Sequence, residues 1–224
     1  MRTTEPATPQ PASDDVRVRR LPERADYDRA TIDAIIDAAL VAHVATVRDG
    51  APVVVPMLAV RDGDWLLLHG APGAGTFRRG RGQQIAVSMA LLDGLVLARS
   101  GFHHSLNYRS VVVVGEAEVI RDEGLRRRAL DVFVDNLVPG RVEQIRPMTD
   151  AELKQTAVVR ISLEAASAKV RSGPPGDDEE DYALPIWAGV LPVRTVIGEP
   201  ESDPRLSDGV EVPEAVRAMV DTAR

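Results

Sequence analysis

Residues 91–120, LLDGLVLARSGFHHSLNYRSVVVVGEAEVI, contain two apolar runs joined by a polar link. The runs at 94–100 and 110–120 are rich in Val and Leu, which is typical of β-strands. A turn needs only residues such as Gly, Asn, Asp or Pro, whereas this link adds imidazole, phenol and guanidinium groups. It therefore predicts a site for an anion or a heteroaromatic ligand. The side chains concentrated there are His103, His104, Ser105, Asn107, Tyr108 and Arg109.

Similar strand-like runs precede this stretch and are separated by Asp-Gly turn signals at 49–50, 62–63 and 93–94. Asp-Gly is a strong hairpin signal, so the first three strands are predicted to pair in sequence, and so are the fourth and fifth. Residues 158–171 are predicted to form a last strand that closes an edge. The pattern favours an antiparallel barrel or sandwich. The earlier runs are HVATV (43–47), PVVVPMLAV (52–60), DWLLLH (64–69) and IAVSMALL (85–92).

Three segments have helical spacing of apolar residues instead. They are 28–40, 122–138 and a short segment near 149–157, where Thr149 and Glu152 match a capping box. The fold class predicted from these patterns is mainly β with flanking helices (α+β).

Composition divides the chain into three parts. Residues 1–15 are rich in Pro, Thr, Ser and Asp, and they are predicted to be a disordered tail. Residues 16–171 form the predicted barrel domain. Residues 172–224 begin with a charged, proline-bearing link and are predicted to be a C-terminal arm that packs on the barrel or on a partner subunit.

Charge and residue usage limit the class of protein. The 224-residue chain has a formal net charge of -7, which disfavours nucleic acid and membrane surfaces as partners. It has no cysteine, so disulfides, thiolate metal sites and a cysteine nucleophile are excluded. No apolar run reaches the roughly 20 residues of a membrane helix, and the start of the chain lacks the apolar middle of a secretion signal. A soluble, cytoplasmic protein is expected.

Four phrases give the chain a family resemblance. They are LLLHGAPG (66–73), NYRSVVVVGEAEVI (107–120), LDGLVLARSGFHHSLNYRSVV (92–112) and LPIWAGVLPVR (184–194). The chain resembles the FMN-binding split-barrel superfamily that includes pyridoxamine 5′-phosphate oxidase, and in particular the branch that contains nitroimidazole reductases. The resemblance implies an antiparallel split barrel and a homodimer with two flavin sites, each built from both chains.

The resemblance also implies which residues form the site. The strand at 52–57 would lie along the flavin ring, His69 would transfer a proton to the substrate, and Trp187 would be a pocket wall or a core plug. Where relatives commonly carry a Ser-Arg element for the phosphate, this chain has Ala74, Gly75 and Thr76, so Arg78, Arg79 or Arg109 would supply the charge. The predicted cofactor-binding residues are Val54, Val55, Pro56, Met57, His69, Gly70, Arg78, His103, Asn107, Tyr108, Arg109, Ser110 and Trp187.

Several residues have a competing structural interpretation. Arg109 either binds phosphate or pairs with a carboxylate such as Glu116 or Glu118. His43 lies within a strand and is interpreted as a satisfied structural histidine. No metal site is predicted, because no acidic residue stands at ligand spacing from His103 and His104.

The predicted function is an FMN-dependent oxidoreductase that acts on a small organic molecule, with reduced nicotinamide as a candidate donor. Two alternatives stay open. One is a haem-binding split-barrel protein with His103, His104 or His69 as axial ligand, since some split-barrel relatives bind haem. The other is a flavin- or deazaflavin-binding protein without catalytic turnover.

Overall fold

The computed structural model describes residues 9–72 and 83–220. Within these ranges the α-helices are α1 (Arg29–Ala38), α2 (Glu123–Leu137), α3 (Asp150–Lys154) and α4 (Glu214–Arg217). The strands are β1 (Ala25–Asp26), β2 (Val41–Arg48), β3 (Ala51–Asp62), β4 (Trp65–Gly70), β5 (Gln83–Leu97), β6 (Ser105–Val119), β7 (Ala157–Ser162), β8 (Ala166–Arg171) and β9 (Gly189–Pro192).

The strands form one antiparallel sheet that closes on itself. Six of them follow the order β6-β7-β4-β3-β2-β5, and β5 pairs again with β6. β8 and β1 extend the sheet from β6, and β9 extends it from β5. The ring with strands splayed from it confirms the predicted mainly β fold and fits a split barrel.

The barrel interior is filled from the strands and from α1. Alternate residues of each strand point inward, as the two-residue period of a strand requires; Val44, Leu66 and Val87 are examples with almost no exposed surface. Ile32, Ile35 and Ile36 share one face of α1 and join the same cluster. α1 therefore seals the barrel with the face that its sequence spacing predicted.

A second apolar cluster lies on the outside of the barrel. Leu67 and Val158 point outward from β4 and β7, where they contact Leu130 and Phe133 of α2 and Leu153 of α3. This packing covers the outer face of β4, β7 and the end of β3. The outer face of β2, β5, β6 and the start of β3 has no such cover among the described elements.

The predicted capping box and the first hairpin are confirmed, and the structure adds two further helix caps. Asp28 caps α1 by accepting a hydrogen bond from Thr31 N, and Asp122 caps α2 in the same way through Leu125 N. Thr149 and Glu152 form the capping box of α3. Asp49 and Gly50 both have positive φ and turn β2 into β3.

The Asp-Gly signal at 93–94 does not form the predicted turn. β5 runs through it as a single strand, with a register shift against β6 between Leu92 and Gly94. Asp93 is the extra residue of this bulge, and its carboxylate accepts hydrogen bonds from Arg109 on β6. The predicted pairing of two strands at this dipeptide is therefore wrong, because the link to the next strand comes later, at 98–104.

The last predicted strand is also divided. Residues 157–162 pair with β4, whereas residues 166–171 pair with β6. The break at 163–165 lets the chain leave one side of the ring and join the strand that extends beyond it. A single strand over 158–171 was therefore wrong.

The C-terminal arm returns to the barrel through β9, which pairs with residues 94–97 of β5. Residues 1–8 lie outside the described residues, so the predicted disorder of the tail and the domain boundaries stay predictions. No helix in the described part of the chain is long and apolar enough to cross a membrane.

Gly94 is where the bulge and the arm meet. A Cβ at this position would lie 2.9 Å from Val190 Cγ1 and 3.2 Å from the carbonyl oxygen of Leu191. We expect Gly94→Ala to displace β9 and to lower the free energy of unfolding by about 1–3 kcal/mol, as overpacking does. Denaturant unfolding and amide exchange of β9 measure both effects. Gly101→Ala is the control, because nothing lies within 4 Å of its Cβ; equal behaviour of the two variants contradicts the close approach.

Candidate functional site

A cavity of about 780 Å³ lies where the β5–β6 link meets the residues after β8. This volume lies within the usual range for small-molecule sites, about 300–1,000 Å³. Its walls combine imidazoles, guanidiniums and one aromatic ring. They include Arg20, Leu21, Arg24, Phe102, His103, His104, Ser105, Val170, Arg171, Ser172, Pro174 and Gly176.

The orientation of His104 is set by a backbone hydrogen bond. Its Nδ1 lies 2.8 Å from the carbonyl oxygen of Ser100. A carbonyl oxygen only accepts hydrogen bonds, so Nδ1 carries the proton and donates it. Nε2 is then the ring nitrogen left for a metal ion, which is the usual arrangement when Nδ1 donates to a carbonyl oxygen.

His103 lies beside an acidic residue of the arm. Its Nε2 is 3.2 Å from Asp178 Oδ2, but the atom is buried and its angle to Asp178 does not make a hydrogen bond. Its ring meets Phe102 edge to face, with centroids 5.2 Å apart. Phe102 itself is 90% exposed, which is costly for a ring of this size.

The link between β5 and β6 is short of hydrogen-bond partners. Arg99 Nε, Ser100 Oγ and His103 Nε2 are all buried and have no partner among the described residues. Buried polar atoms are usually hydrogen-bonded, so the described residues leave the polar groups of this link incompletely satisfied.

An enclosed ion pair fixes the arm beside the cavity. The side chain of Asp177 has no exposed surface and accepts hydrogen bonds from Arg99 N at 2.8 Å and Arg99 Nη1 at 2.9 Å. Burial acts to raise the pKa of Asp177, but these hydrogen bonds outweigh it and hold the pKa below its ordinary value. The arm therefore begins from a fixed point on the β5–β6 link.

Asn107 lies just behind the cavity. It belongs to β6 rather than to the link, and its side chain is buried. Its Oδ1 accepts a hydrogen bond from Arg171, and its Nδ2 donates to the carbonyl oxygen of Gly173. Asn107 thus positions Arg171 in the cavity wall.

Arg109 forms an ion pair inside the chain, with a partner that differs from those considered in the sequence. Its Nε and Nη2 donate to the two carboxylate oxygens of Asp93 at 3.0 and 2.7 Å. This hydrogen bond raises the pKa of the Arg109 guanidinium. Glu118 pairs with Arg160 instead, so the pairing with Glu116 or Glu118 is wrong because the β5 bulge brings Asp93 closer.

Four of the predicted cofactor residues lie on the uncovered outer face of the sheet. Val54 and Pro56 point outward from β3 and are exposed, and Tyr108 and Ser110 point outward from β6. Ser110 Oγ donates to the carbonyl oxygen of Lys169. The strand registers place one row of side chains across this face, formed by Pro56, His43, Ser88 and Val112.

His43 therefore differs from its interpretation as a satisfied structural histidine. It is exposed on this face, and it makes no hydrogen bond or ion pair with residues in the described ranges. Alternation with the inward-facing Ala42 and Val44 is the signal that identifies its direction. The same alternation turns Val55 and Met57 toward the barrel interior.

His69 lies apart from both the cavity and the uncovered face. It is the second-last residue of β4 and meets Phe133 of α2 edge to face, with ring centroids 4.6 Å apart. Burial lowers the pKa of its imidazole. Gly70 follows it and pairs with Ala157 of β7. A proton-transfer role for His69 stays a prediction.

The other two predicted residues lie elsewhere. Arg78 is outside the described residues, as are Ala74, Gly75, Thr76 and Arg79. Trp187 lies on the arm against Gly189 and is 65% exposed, so it is not a core plug within this chain.

The structure thus separates the predicted residues into the cavity, the uncovered face and the neighbourhood of His69. Sequence reasoning missed Arg20, Arg24 and Arg171, which come to the cavity from chain segments about 150 residues apart. Only the pairing of β8 with β1 and β6 brings them together, and no local motif marks it. Among the described residues, no group of three His, Asp or Glu side chains converges as a metal site.

Comparison with known proteins places these features in a family. The family model described as pyridoxamine 5′-phosphate oxidase matches residues 28–170. A flavocytochrome from Azotobacter vinelandii is 44% identical, with a TM-score of 0.90 and coverage of 94% of this chain and 99% of that chain. A FAD- and haem-binding protein from Mycobacterium smegmatis is 37% identical, with a TM-score of 0.85 and coverage of 88% and 98%.

A candidate 5-nitroimidazole antibiotic resistance protein from Bacteroides thetaiotaomicron shares the fold. It is 24% identical, with a TM-score of 0.54 and coverage of 65% of this chain and 86% of that chain. No match was found among curated protein sequences.

The buried imidazole of His69 predicts a pH dependence of stability. Because its pKa is lower in the folded chain than in the unfolded chain, its contribution to stability is complete above the unfolded value of about 6.5. This contribution to stability is lost as the pH falls through the pKa that His69 has in the folded chain. We expect His69→Gln to flatten the dependence of the free energy of unfolding on pH below about 6.5. Urea unfolding across pH measures this, with the exposed His43→Gln as control; equal slopes for wild type and His69→Gln contradict it.

Proposed function

The chain belongs to the pyridoxamine 5′-phosphate oxidase family, and from this premise we propose that it is a flavin-dependent oxidoreductase that works as a homodimer and also binds haem. The observation that carries the proposal is the similarity, along nearly the whole chain, to proteins described as a flavocytochrome and as a FAD- and haem-binding protein. The substrate is a small organic molecule, and reduced nicotinamide is the proposed donor.

The uncovered sheet face supports a second copy of this chain as its cover. The outward-facing positions of this face include no Asp, Glu, Lys or Arg, although 27% of all residues are charged. These positions lie in β2, in β3 up to Leu58, in 84–92 of β5 and in 108–114 of β6. Val54 in this face is 58% exposed. An uncharged apolar surface of this kind is typical of an interface, and an uncharged face meets its own copy without repulsion.

The same face supplies contacts for a flavin. Val54 and Pro56 offer apolar surface and the backbone of an extended strand, and Tyr108 offers a ring and a hydroxyl group. A bound flavin supplies the redox chemistry, because it accepts a hydride or single electrons and releases them to an acceptor. The sequence predicts FMN, whereas similarity to the FAD-binding relative favours FAD.

The cavity residues fit a haem as a second cofactor. The hydrogen bond of His104 Nδ1 to Ser100 leaves Nε2 as the ring nitrogen available to a metal ion, and His103, whose Nε2 has no hydrogen-bond partner among the described residues, lines the same cavity. A haem bound there would supply one-electron chemistry. His103, held near Asp178, and the exposed ring of Phe102 would complete the walls.

The absorption spectrum of the purified protein, followed by titration with FMN, FAD and haemin, tests this assignment. We expect flavin bands and a Soret band together, and His104→Ala should weaken haemin binding at least about tenfold while flavin uptake is unchanged. His43→Ala is the matched control for haem. A chain that binds cofactors but never oxidises reduced nicotinamide supports a carrier instead, and a chain that takes up no flavin overturns the proposal.

The dimer is tested by placing a charge in the uncovered face. We expect Val54→Asp to raise the dimer dissociation constant by about tenfold or more, since two unpaired carboxylates become buried, and to lower flavin occupancy with it. Sedimentation equilibrium measures the first effect and absorbance the second. Leu137→Asp, at an exposed position on α2, should change neither. A stable Val54→Asp dimer excludes this face as the interface.

A further inference from the structure

We propose that Arg20, Arg24 and Arg171 form an arginine cradle that binds the two carboxylates of a haem in the cavity. The identity of the ligand rests on the proposed function. The cradle itself follows from where the described residues leave arginines without a close carboxylate partner.

Elsewhere in the described chain, most arginines that contact the sheet are neutralised by carboxylates. Arg61 pairs with Asp37, Arg99 with Asp177 and Arg109 with Asp93. In a chain with a net charge of -7, acidic partners are plentiful. A group of arginines without close acidic partners is therefore a specific feature of this cavity.

Arg171 is the centre of the group. Its guanidinium donates to Asn107 Oδ1 and to the carbonyl oxygen of Pro174 at 3.2 Å, but to no carboxylate within the described ranges. Burial lowers its pKa, and the nearby charge of Arg24 lowers it further. The fixed orientation means that little side-chain entropy is lost when an anion binds, and the anion removes the repulsion between the two guanidiniums.

Arg24 and Arg20 extend the charge along the same wall. Among the described residues, the carboxylate oxygen nearest to Arg24 is Glu23 Oε1, at 4.0 Å from Nε. This distance is longer than the 3.0 and 2.7 Å contacts between Arg109 and Asp93. Lys169 adds a further cation where its Nζ donates to the carbonyl oxygen of Arg20 at 2.7 Å. Two or more anionic groups are needed to balance this wall.

The rest of the cavity selects among anions. His104 offers a metal-binding nitrogen, and Phe102 offers an exposed ring. A haem matches all three kinds of group: its iron would bind the His104 nitrogen, its planar macrocycle would pack on the Phe102 ring, and its two carboxylates would pair with the guanidiniums. The phosphates of FAD share only the anionic chemistry, so they are the alternative that the experiment must separate.

The test uses the full-length chain and three probes: haemin, its dimethyl ester, in which the carboxylates are blocked, and FAD. We expect R24Q and R171Q each to weaken haemin binding by about tenfold to hundredfold, the effect of losing a hydrogen bond to a charged group, and the loss to shrink at high salt. Binding of the ester should be the same for wild type and variants. R141Q is the control, because the side chain of Arg141 bonds to Gln144 and to no other residue that the structure describes.

R24Q tests the inference without an expected folding defect, because Arg24 makes no side-chain hydrogen bond to the described residues. Wild-type haemin affinity in both variants overturns the arginine cradle while leaving the haem in place. An equal loss for haemin and for the ester also overturns it, because the role is then structural. Loss of FAD binding in place of haemin binding reassigns the cavity to phosphates. A wild-type chain that takes up no haemin overturns both this inference and the haem part of the proposed function.

Discussion

The pairing of β5 with β6 is the constraint on which the other features depend. The two strands pair from Gln83 to Val96 with one bulge at Asp93, and they close the ring as well as carrying the strands that leave it. β9 can add to β5, and β8 to β6, only because both strands are longer than the barrel needs. The cavity lies at the end of this strand pair, so the position of the pair sets the position of the cavity walls.

The bulge at Asp93 shows how a local irregularity serves this arrangement. In the observed pairing Arg109 lies opposite Leu91, which offers it no charge. The extra residue instead places the Asp93 carboxylate on the guanidinium of Arg109, and the absence of a side chain at Gly94 leaves room for β9. Two adjacent residues thus serve the arrangement: Asp93 neutralises Arg109, and Gly94 leaves room for the C-terminal arm.

The surfaces of the barrel differ in what covers them. The interior is closed by α1, and one outer face is covered by α2 and α3. The other outer face keeps Val54, His43 and Val112 in solvent within one chain, while the cavity gathers positive charge. Neither surface has a partner of matching chemistry among the residues that the structure describes. The surface proposed for a partner subunit and the cavity proposed for a haem are therefore different sites.

The sequence by itself determined the mainly β fold, the family, three helical segments with one capping box, and the kinds of side chain that gather near the β5–β6 link, because strand alternation, helical spacing and family phrases are local in the chain. It could not determine that Asp93-Gly94 is a bulge, that 158–171 divides into two strands, or that Asp93 is the partner of Arg109. Those outcomes depend on which strands meet across the ring. The convergence of Arg20 and Arg24 with Arg171 was likewise decided by tertiary structure alone, since electrostatic contacts depend on distance in space, and only the closed sheet brings these segments together.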